Sequence, residues 1–189
     1  IARAWNSTWD LSADVARMGA LVEDLLVLAR VGSRRISSRE IDLAAVVALA
    51  REESSAQEGS SGVGLEIVGS GRARGDAAAT QRVVRNLVAN ALRHATSRVR
   101  IEVSDGEISV SDDGSGIAAP DRERVFERFV RLDTARQREE VERGGEGQGG
   151  GSGLGLAIAR ELAREQGGDV ELSDSELGGL RATLTMPRI

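Results

Sequence analysis

Hydrophobic and polar residues recur along this chain in two periods, one typical of helices and the other of strands. The first long segment with the helical period covers residues 10–31. Its apolar residues repeat at alternating spacings of four and three, which is a heptad pattern: Leu11, Val15, Met18, Val22, Leu25 and Ala29. We predict a long amphipathic helix, packed either on its own domain or against another helix in a bundle or dimer.

Three further helices are predicted, over residues 41–56, 75–95 and 154–168. Asp42 and Asp76 stand at the starts of the first two, where a carboxylate can cap free backbone N–H groups, and Gly167 ends the third. The stretch "PDRERVFERFVR" at 120–131 begins with proline and an acid, as helix N-termini do, and predicts another helix.

The strand period appears twice around turn signals and predicts two β-hairpins. Residues 98–117 alternate on both sides of an Asp-Gly pair, and residues 169–187 form the second predicted hairpin. A shorter strand is predicted within residues 60–71, and the charged, then glycine-rich residues 132–153 predict a mobile loop. Because hairpins make the sheet at least partly antiparallel, we expect an α+β fold with the helices on one face.

Composition removes several classes of function. The 189 residues carry a net charge of −5, two Trp and two Phe, so neither phosphate attraction nor base stacking favours nucleic acid as a partner. The absence of cysteine excludes disulfides and thiolate metal sites, and a single histidine excludes multi-histidine zinc sites. No apolar run approaches the roughly 20 residues that span a membrane.

The predicted helix at 75–95 carries an unusual polar stripe beside its apolar face. Asn86, Asn90 and His94 are spaced four apart, and four residues drift only roughly 40° around a helix. Asparagine is a poor helix-interior residue because its side chain competes for backbone hydrogen bonds. One interpretation is a solvated face. The other is that neutral carboxamide oxygens hold Mg²⁺ beside phosphates without adding negative charge.

A second polar cluster, "VSDDGSGI" at 110–117, joins the end of a predicted strand to a pair of glycines. It is either an ordinary turn or the site of a buried carboxylate that accepts a hydrogen bond from an amino group of a flat ligand. In the second interpretation, Gly114 and Gly116 let the backbone approach that ligand closely.

A third cluster is rich in glycine, since eight of the residues 144–155 are glycine and a predicted helix follows. Backbone N–H groups that open a helix form an anion site, although a flexible linker has the same composition. The Walker phosphate motif is excluded because no lysine follows. The G-x-G-x-x-G match at 145–150 follows a charged segment instead of a strand, so we treat it as chance.

In this order, the clusters resemble the ATP-binding catalytic domain of bacterial sensor histidine kinases, in the wider GHKL ATPase group. The matching stretches are "NLVANALRH" (N box), "DDGSGI" (G1 box), "FERFVR" (F box) and "GSGLGLAI" (G2 box). The resemblance implies a two-layer α/β sandwich of Bergerat type over residues 34–189, with an ATP lid at about 132–152. Residues 1–33 resemble part of the dimerisation and histidine-phosphotransfer hairpin, namely its second helix.

The resemblance also implies roles for single residues. Asn90 matches the residue that coordinates Mg²⁺, and Asp112 matches the carboxylate that reads the adenine amino group. The implied catalytic residues are Asn86, Arg93 and Arg128. The implied ATP-binding residues are Asn86, Asn90, Arg93, His94, Asp112, Gly114, Gly116, Ile117, Arg131, Ser152, Gly153, Leu154, Gly155 and Leu156.

Asn86 separates this chain from the ATP-hydrolysing members of the group, which carry a glutamate four residues before the metal-binding asparagine. Asparagine cannot accept a proton at neutral pH, so that general base for hydrolysis is missing. A histidine acceptor needs no such base, because imidazole is already a nucleophile, and the resemblance therefore implies phosphoryl transfer to a histidine. The alternatives are a degenerate ATP-sensing or scaffold module and, less favoured, a GHKL-type hydrolase.

The family's acceptor histidine is not in this chain, because the one histidine, His94, lies within the N box. We expect the helix that carries the acceptor to precede Ile1, and this chain to bind Mg·ATP without phosphorylating itself. The implied partners are a response regulator and, in the parent protein, a second copy of the chain. We expect a cytoplasmic domain whose parent protein is anchored in the cell membrane by an upstream segment.

Overall fold

The computed structural model describes residues 38–57, 62–130 and 153–189, together with four separate helical residues, Met18, Gly19, Val22 and Leu26. Of these four, Met18, Val22 and Leu26 have exposed side chains. Most of the predicted first helix, the boundary near residue 33 and the predicted lid lie outside the described residues. Within the described ranges, none of the helices combines the length and hydropathy that crossing a bilayer requires.

The described part of the chain contains seven strands in two sheets: β1 (Arg39–Asp42), β2 (Gly64–Gly69), β3 (Arg72–Gly75), β4 (Arg98–Ser104), β5 (Glu107–Asp112), β6 (Asp169–Asp174) and β7 (Leu180–Thr185). The main sheet has the order β2-β4-β5-β7-β6. Strand β2 runs parallel to β4, and the other neighbours are antiparallel. Both predicted hairpins are present, as β4–β5 and β6–β7, and the predicted short strand is β2. The mixed sheet confirms the α+β prediction.

Over residues 38–57, 62–130 and 153–189, three helices accompany the sheets: α1 (Leu43–Gln57), α2 (Ala77–His94) and α3 (Gly155–Glu165). The predicted caps are confirmed, because Asp42 Oδ1 accepts hydrogen bonds from the Ala44 and Ala45 N–H groups, and Asp76 Oδ1 accepts one from Ala79. As predicted, α3 ends just before Gly167. α2 packs against both other helices and against the sheet, so it is the central element of the helical layer.

Strand register explains why the core lies on one face of the sheet. Cross-strand partners align an apolar row across β2, β4, β5, β7 and β6: Ile67, Ile101, Val110, Ala182 and Leu172. These residues join the buried side of the helices in a single hydrophobic cluster. Residues that point the other way form ion pairs, Glu66 with Arg100 (3.3 Å) and Glu102 with Arg181 (3.2 Å). Alternation therefore gives the sheet one apolar face and one polar face.

A two-stranded sheet, β1 paired antiparallel with β3, was not predicted from the sequence. Because β1 takes Ile41 and Asp42, α1 begins at Leu43, two residues later than predicted. The small sheet is joined to the main one, since the Gly106 N–H donates to the Arg72 carbonyl (2.9 Å). Strands of four residues carry too little alternation to be recognised as strands from pattern alone.

The prediction of a helix over residues 120–131 is wrong. The segment contains two short 3₁₀ helices, Ala119–Asp121 and Arg124–Phe126, and Phe129 adopts a left-handed φ of 64°. The adjacent residues Arg122 and Glu123 are held by different elements, Arg122 by Asp174 at the end of β6 and Glu123 by Arg160 on α3. These tertiary contacts outweigh the local helix signal of the segment.

One buried side chain joins the start of α2 to the end of α3. Gln166 Oε1 accepts a hydrogen bond from the Asp76 N–H (2.8 Å) and lies 3.1 Å from the Thr80 hydroxyl. Its Nε2 donates to the Leu162 carbonyl (3.1 Å). Because Gln166 and Thr80 are both buried, water cannot easily replace these bonds if the amide is removed.

We expect Gln166→Leu to lower the free energy of unfolding by about 2 kcal/mol, because a buried donor without a partner costs about 1–3 kcal/mol. Urea unfolding followed by circular dichroism measures this change. The matched control is Glu176→Leu, at an exposed position of the β6–β7 turn. An unchanged unfolding midpoint in Gln166→Leu would contradict the assigned role.

Candidate functional site

Helix α2 connects the two ends of the candidate site. Near its middle, Asn86 faces the start of α3, because a Cβ placed on Gly155 would lie 4.0 Å from Asn86 Cγ. At its end, the His94 carbonyl oxygen would lie 2.2 Å from a Cβ on Gly114, so position 114 requires glycine. Eight residues along a helix span about 12 Å. The turn after β5 and the start of α3 therefore flank one stretch of α2.

Asp112 ends β5 with a carboxylate that is buried, the residue being 2% exposed. Its Oδ1 accepts hydrogen bonds from the Gly114 N–H (2.8 Å) and the Leu180 N–H (3.2 Å), and its backbone carbonyl accepts one from Gly179 (3.2 Å). No described residue donates to Oδ2, so this oxygen can accept a hydrogen bond from a ligand. Burial raises the pKa of this carboxyl group, and the two backbone donors and His94 oppose that shift.

The neighbouring acid, Asp113, has a different role. Its carboxylate accepts hydrogen bonds from the Ser97 hydroxyl (2.6 Å) and from the backbone N–H groups of Ser97, Arg98 and Thr96. The Ser97 bonds, followed by those from the other two N–H groups, hold the pKa of Asp113 well below its usual range. Asp113 therefore fixes the turn between α2 and β4, and of the two acids only Asp112 faces the site.

The opposite end of the site lies where Asn86 meets α3. Asn86 Nδ2 is inaccessible to solvent and has no hydrogen-bond partner among the described residues. Leu154 occupies the N-cap of α3, and its apolar side chain provides no cap. An unsatisfied buried donor is rare in folded proteins, and the first N–H groups of a helix attract anions. An anion with several acceptor oxygens would satisfy both features.

The described side chains alone do not complete a metal site, so a bound ligand would have to supply further oxygen atoms. Asn90, one turn after Asn86, is partly exposed on the same helix. The described residues contain no group of three His, Asp or Glu side chains arranged to bind a metal. Asn90 would therefore supply one amide oxygen, and phosphate oxygens and water would complete the oxygen shell that Mg²⁺ prefers.

Val130 and Gly153, which precede and follow the predicted lid, lie close together. The Phe129 N–H donates to the Gly153 carbonyl (3.1 Å), and both residues have left-handed φ angles, 64° and 70°. Phe129 is 62% exposed, and the predicted catalytic residue Arg128 is also exposed. The predicted site residues Arg131 and Ser152 lie outside the described residues.

The remaining predicted residues surround the two ends. Arg93 and His94 lie at the C-terminus of α2 with much of their surface exposed. The pKa of His94 is lowered because its imidazole is nevertheless partly desolvated and because the positive charge of Arg93 is close by. A Cβ on Gly116 would meet the Gly179 carbonyl oxygen at 3.3 Å, and the Ile117 carbonyl accepts a hydrogen bond from Arg122 Nε (3.0 Å). Leu154 is fully buried and Leu156 partly exposed at the start of α3.

The turn between β6 and β7 lines the site beside Asp112, and this contact was not predicted from the sequence. A Cβ on Gly179 would lie 2.2 Å from Asp112 Oδ1, and the next residue, Leu180, donates to the same oxygen. The only signal was the pair of glycines at 178–179, which resembles an ordinary turn. Placing this turn beside Asp112 requires the pairing of β5 with β7, in which Ser111 faces Arg181.

The sequence profile of a family described as "Histidine kinase-, DNA gyrase B-, and HSP90-like ATPase" matches residues 75–189, which include α2, Asp112 and α3. The chain belongs to this family. The sensor protein RstB of Escherichia coli is 35% identical over 184 residues, covering 94% of this chain and 40% of RstB. The sensor-like histidine kinase SenX3 of Mycolicibacterium smegmatis is 31% identical over 185 residues, covering 93% of this chain and 46% of SenX3.

These relatives confirm the recognition made from the four boxes, that of a sensor histidine kinase domain of the ATPase group. The chain spans less than half the length of either relative. Among solved structures, full-length ShkA in complex with AMPPNP, an ATP analogue, is similar with a TM-score of 0.69 at 26% identity, covering 89% of this chain and 35% of ShkA. The ATP-binding domain of PrrB from Mycobacterium tuberculosis shares the fold, with a TM-score of 0.61 at 24% identity over 81% of this chain and 98% of that domain.

Asp112 and Asp113 are expected to affect stability in opposite directions. The raised pKa of Asp112 means that its ionisation opposes folding, so Asp112→Asn, which keeps the amide oxygen as acceptor, should raise the unfolding midpoint at pH 7.5. The lowered pKa of Asp113 means that its charge stabilises the fold, so Asp113→Asn should lower the midpoint.

Urea unfolding across pH tests both signs. The gain in Asp112→Asn should vanish below the unfolded pKa of 3.8, where both states are protonated, grow as pH rises from 3.8 to the raised folded value, and stay constant above it. The loss in Asp113→Asn should be complete above 3.8 and fade as pH falls toward the lowered folded value. Equal shifts of the same sign at pH 7.5 would refute this assignment of the two acids.

Proposed function

We propose that this chain is the catalytic domain of a sensor histidine kinase: it binds Mg·ATP along α2 and transfers the γ-phosphoryl group to a histidine outside the chain. The family assignment supports an ATP-binding domain. One structural observation carries the proposal further. A buried carboxylate with a free oxygen and a buried amide with a free donor lie at opposite ends of one helical stretch.

The end of the site at Asp112, called the base end from here on, suits adenine. Asp112 Oδ1 is used by two backbone donors, which leaves Oδ2 to accept from an exocyclic amino group. Gly114 lies so close to the end of α2 that the surface of the site beside this carboxylate is formed by backbone atoms. A flat base can lie there, in contact with the half-buried Ile117.

The opposite end, where Asn86 meets the start of α3, is called the phosphate end and suits a triphosphate with a magnesium ion. Asn86 Nδ2 and the first N–H groups of α3 would donate to phosphate oxygens. Asn90 would ligate Mg²⁺, and the Arg93 guanidinium would add positive charge at the same helix. Bound Mg²⁺ neutralises charge that develops during phosphoryl transfer, and the residues of this chain position the nucleotide.

The acceptor and the partners follow from the family and are proposals for this chain. The one histidine, His94, stands at the base end, so we assign the acceptor to a histidine outside the chain. The phosphoryl group would pass from there to an aspartate of a response regulator. Residues 1–33 would belong to the dimerisation hairpin of a homodimer, and the domain would lie in the cytoplasm beneath a membrane-anchored sensor.

We expect Asp112→Asn to weaken Mg·ATP binding about 10- to 100-fold, since a hydrogen bond to a charged group is worth about 1.5–3 kcal/mol. The asparagine NH₂ group would face the adenine amino group, donor against donor. In Asn90→Ala, adding Mg²⁺ should no longer increase ATP affinity. Isothermal titration with ATP, with and without Mg²⁺, measures both effects.

The matched control is Asp105→Asn, at the turn on the opposite end of the β4–β5 hairpin. Its ATP affinity should equal that of the native chain. If the native chain binds no ATP, or if all three variants bind like the native chain, the proposed site is wrong.

We expect this chain, incubated with Mg·ATP labelled in the γ-phosphate, to incorporate no stable acid-labile phosphate and to release little inorganic phosphate. The reason is that it lacks an acceptor histidine and has Asn86 where a hydrolase needs a base. The control adds the phospho-acceptor hairpin of a related kinase. Steady phosphate release that Asn90→Ala abolishes would favour a hydrolase, and binding without transfer to any added hairpin would favour an ATP-sensing module.

A further inference from the structure

The guanidinium of Arg160 joins α3 to β6 and to the segment that contains Glu123 and Phe126. Its Nε donates to Asp169 Oδ1 at the start of β6 (2.9 Å), and its Nη1 donates to Glu123 Oε2 (2.6 Å). The same group lies over the Phe126 ring, 4.3 Å from the centroid, within cation–π range. The Arg160 side chain is only 14% exposed, whereas Glu123 is 79% and Asp169 32% exposed, so solvent screens the cluster mainly from the Glu123 side.

Arg160 is also connected to the N-terminus of α3 through residues outside the helix. Glu123 and Phe126 belong to the segment 119–130, and three residues after Phe126 the Phe129 N–H binds the Gly153 carbonyl. Gly153 lies two residues before Gly155, which faces Asn86. The first turn of α3 is thus held by the hydrogen bonds of the helix itself and also by the 119–130 segment, through the bond between Phe129 and Gly153.

The base end is held by different bonds. Asp112 is fixed by the backbone N–H groups of Gly114 and Leu180, neither of which is a partner of Arg160. A change at Arg160 should therefore displace the phosphate end of the site and leave the base end in place.

Building on the proposed function, we propose that Arg160 is a positioning residue for the triphosphate: it sets the place of the α3 N-terminus through Glu123 and Phe126 without touching the nucleotide. Its loss should separate the affinities for two ligands that share a base. Mg·ATP uses both ends of the site, whereas adenosine uses the base end alone.

Isothermal titration of the native chain and of Arg160→Gln with Mg·ATP and with adenosine tests this. The Kd for Mg·ATP should rise about two- to thirtyfold, the range for residues that change binding without contacting the ligand. The Kd for adenosine should change by less than about twofold. Arg160→Lys, which keeps the charge but lacks the planar fork of donors, should recover part of the Mg·ATP affinity.

Two further variants make the result specific. Arg164→Gln removes another Asp169 partner from the same helix but no contact with Glu123 or Phe126, and it should leave both affinities unchanged. Glu123→Gln should weaken Mg·ATP binding, and the double variant with Arg160→Gln should lose less than the sum of the two single losses. Circular dichroism melting of each variant verifies folding.

The outcomes distinguish the two proposals. If the native chain binds neither ligand, the proposed function fails and this inference fails with it. If the native chain binds both, equal weakening of adenosine and Mg·ATP in Arg160→Gln, no weakening at all, or strictly additive losses would overturn the positioning role alone.

Discussion

Burying one carboxylate in a fixed orientation is the constraint on which the site depends. Asp112 is removed from water, and one of its two carboxylate oxygens, Oδ1, is satisfied by protein groups. The bonds come from Gly114 and Leu180, backbone donors of two separate turns. Those turns must approach closely, which explains why a side chain at position 114 or 179 would overlap its neighbours. The alignment of β5 beside β7 is thereby tied to the chemistry at the strand end.

Sequence pattern predicted those parts of the fold whose signals are local. The stripe on α2, the caps Asp42 and Asp76, and both hairpins depend on neighbours within one or two turns of chain, and all are present. A buried carboxylate was one of two interpretations of the cluster at 110–117, and the structure agrees with it, since Asp112 lies on the same side of β5 as Ile108 and Val110. The resemblance to the kinase family then ordered these local features into one site.

The parts that were missed are decided by contacts between residues distant in sequence. Residues 120–131 have a helical pattern, yet Arg122 and Glu123 are drawn to β6 and α3. Strand β3 has four residues, and its partner β1 is 30 or more residues earlier. Gly179 and Leu180 complete the site only because β7 lies beside β5. In each case the deciding partner belongs to another element, which a local window cannot include.

The meeting of Phe129 and Gly153 has a consequence for how such domains diversify. The backbone hydrogen bond between these two residues holds the chain on either side of positions 130–152 at one point. For a flexible loop, doubling the length adds only about 0.6 kcal/mol of closure entropy. The number of residues between two positions fixed in this way can therefore change with little effect on the stability of the sheet and helices, so length differences between related domains are expected there.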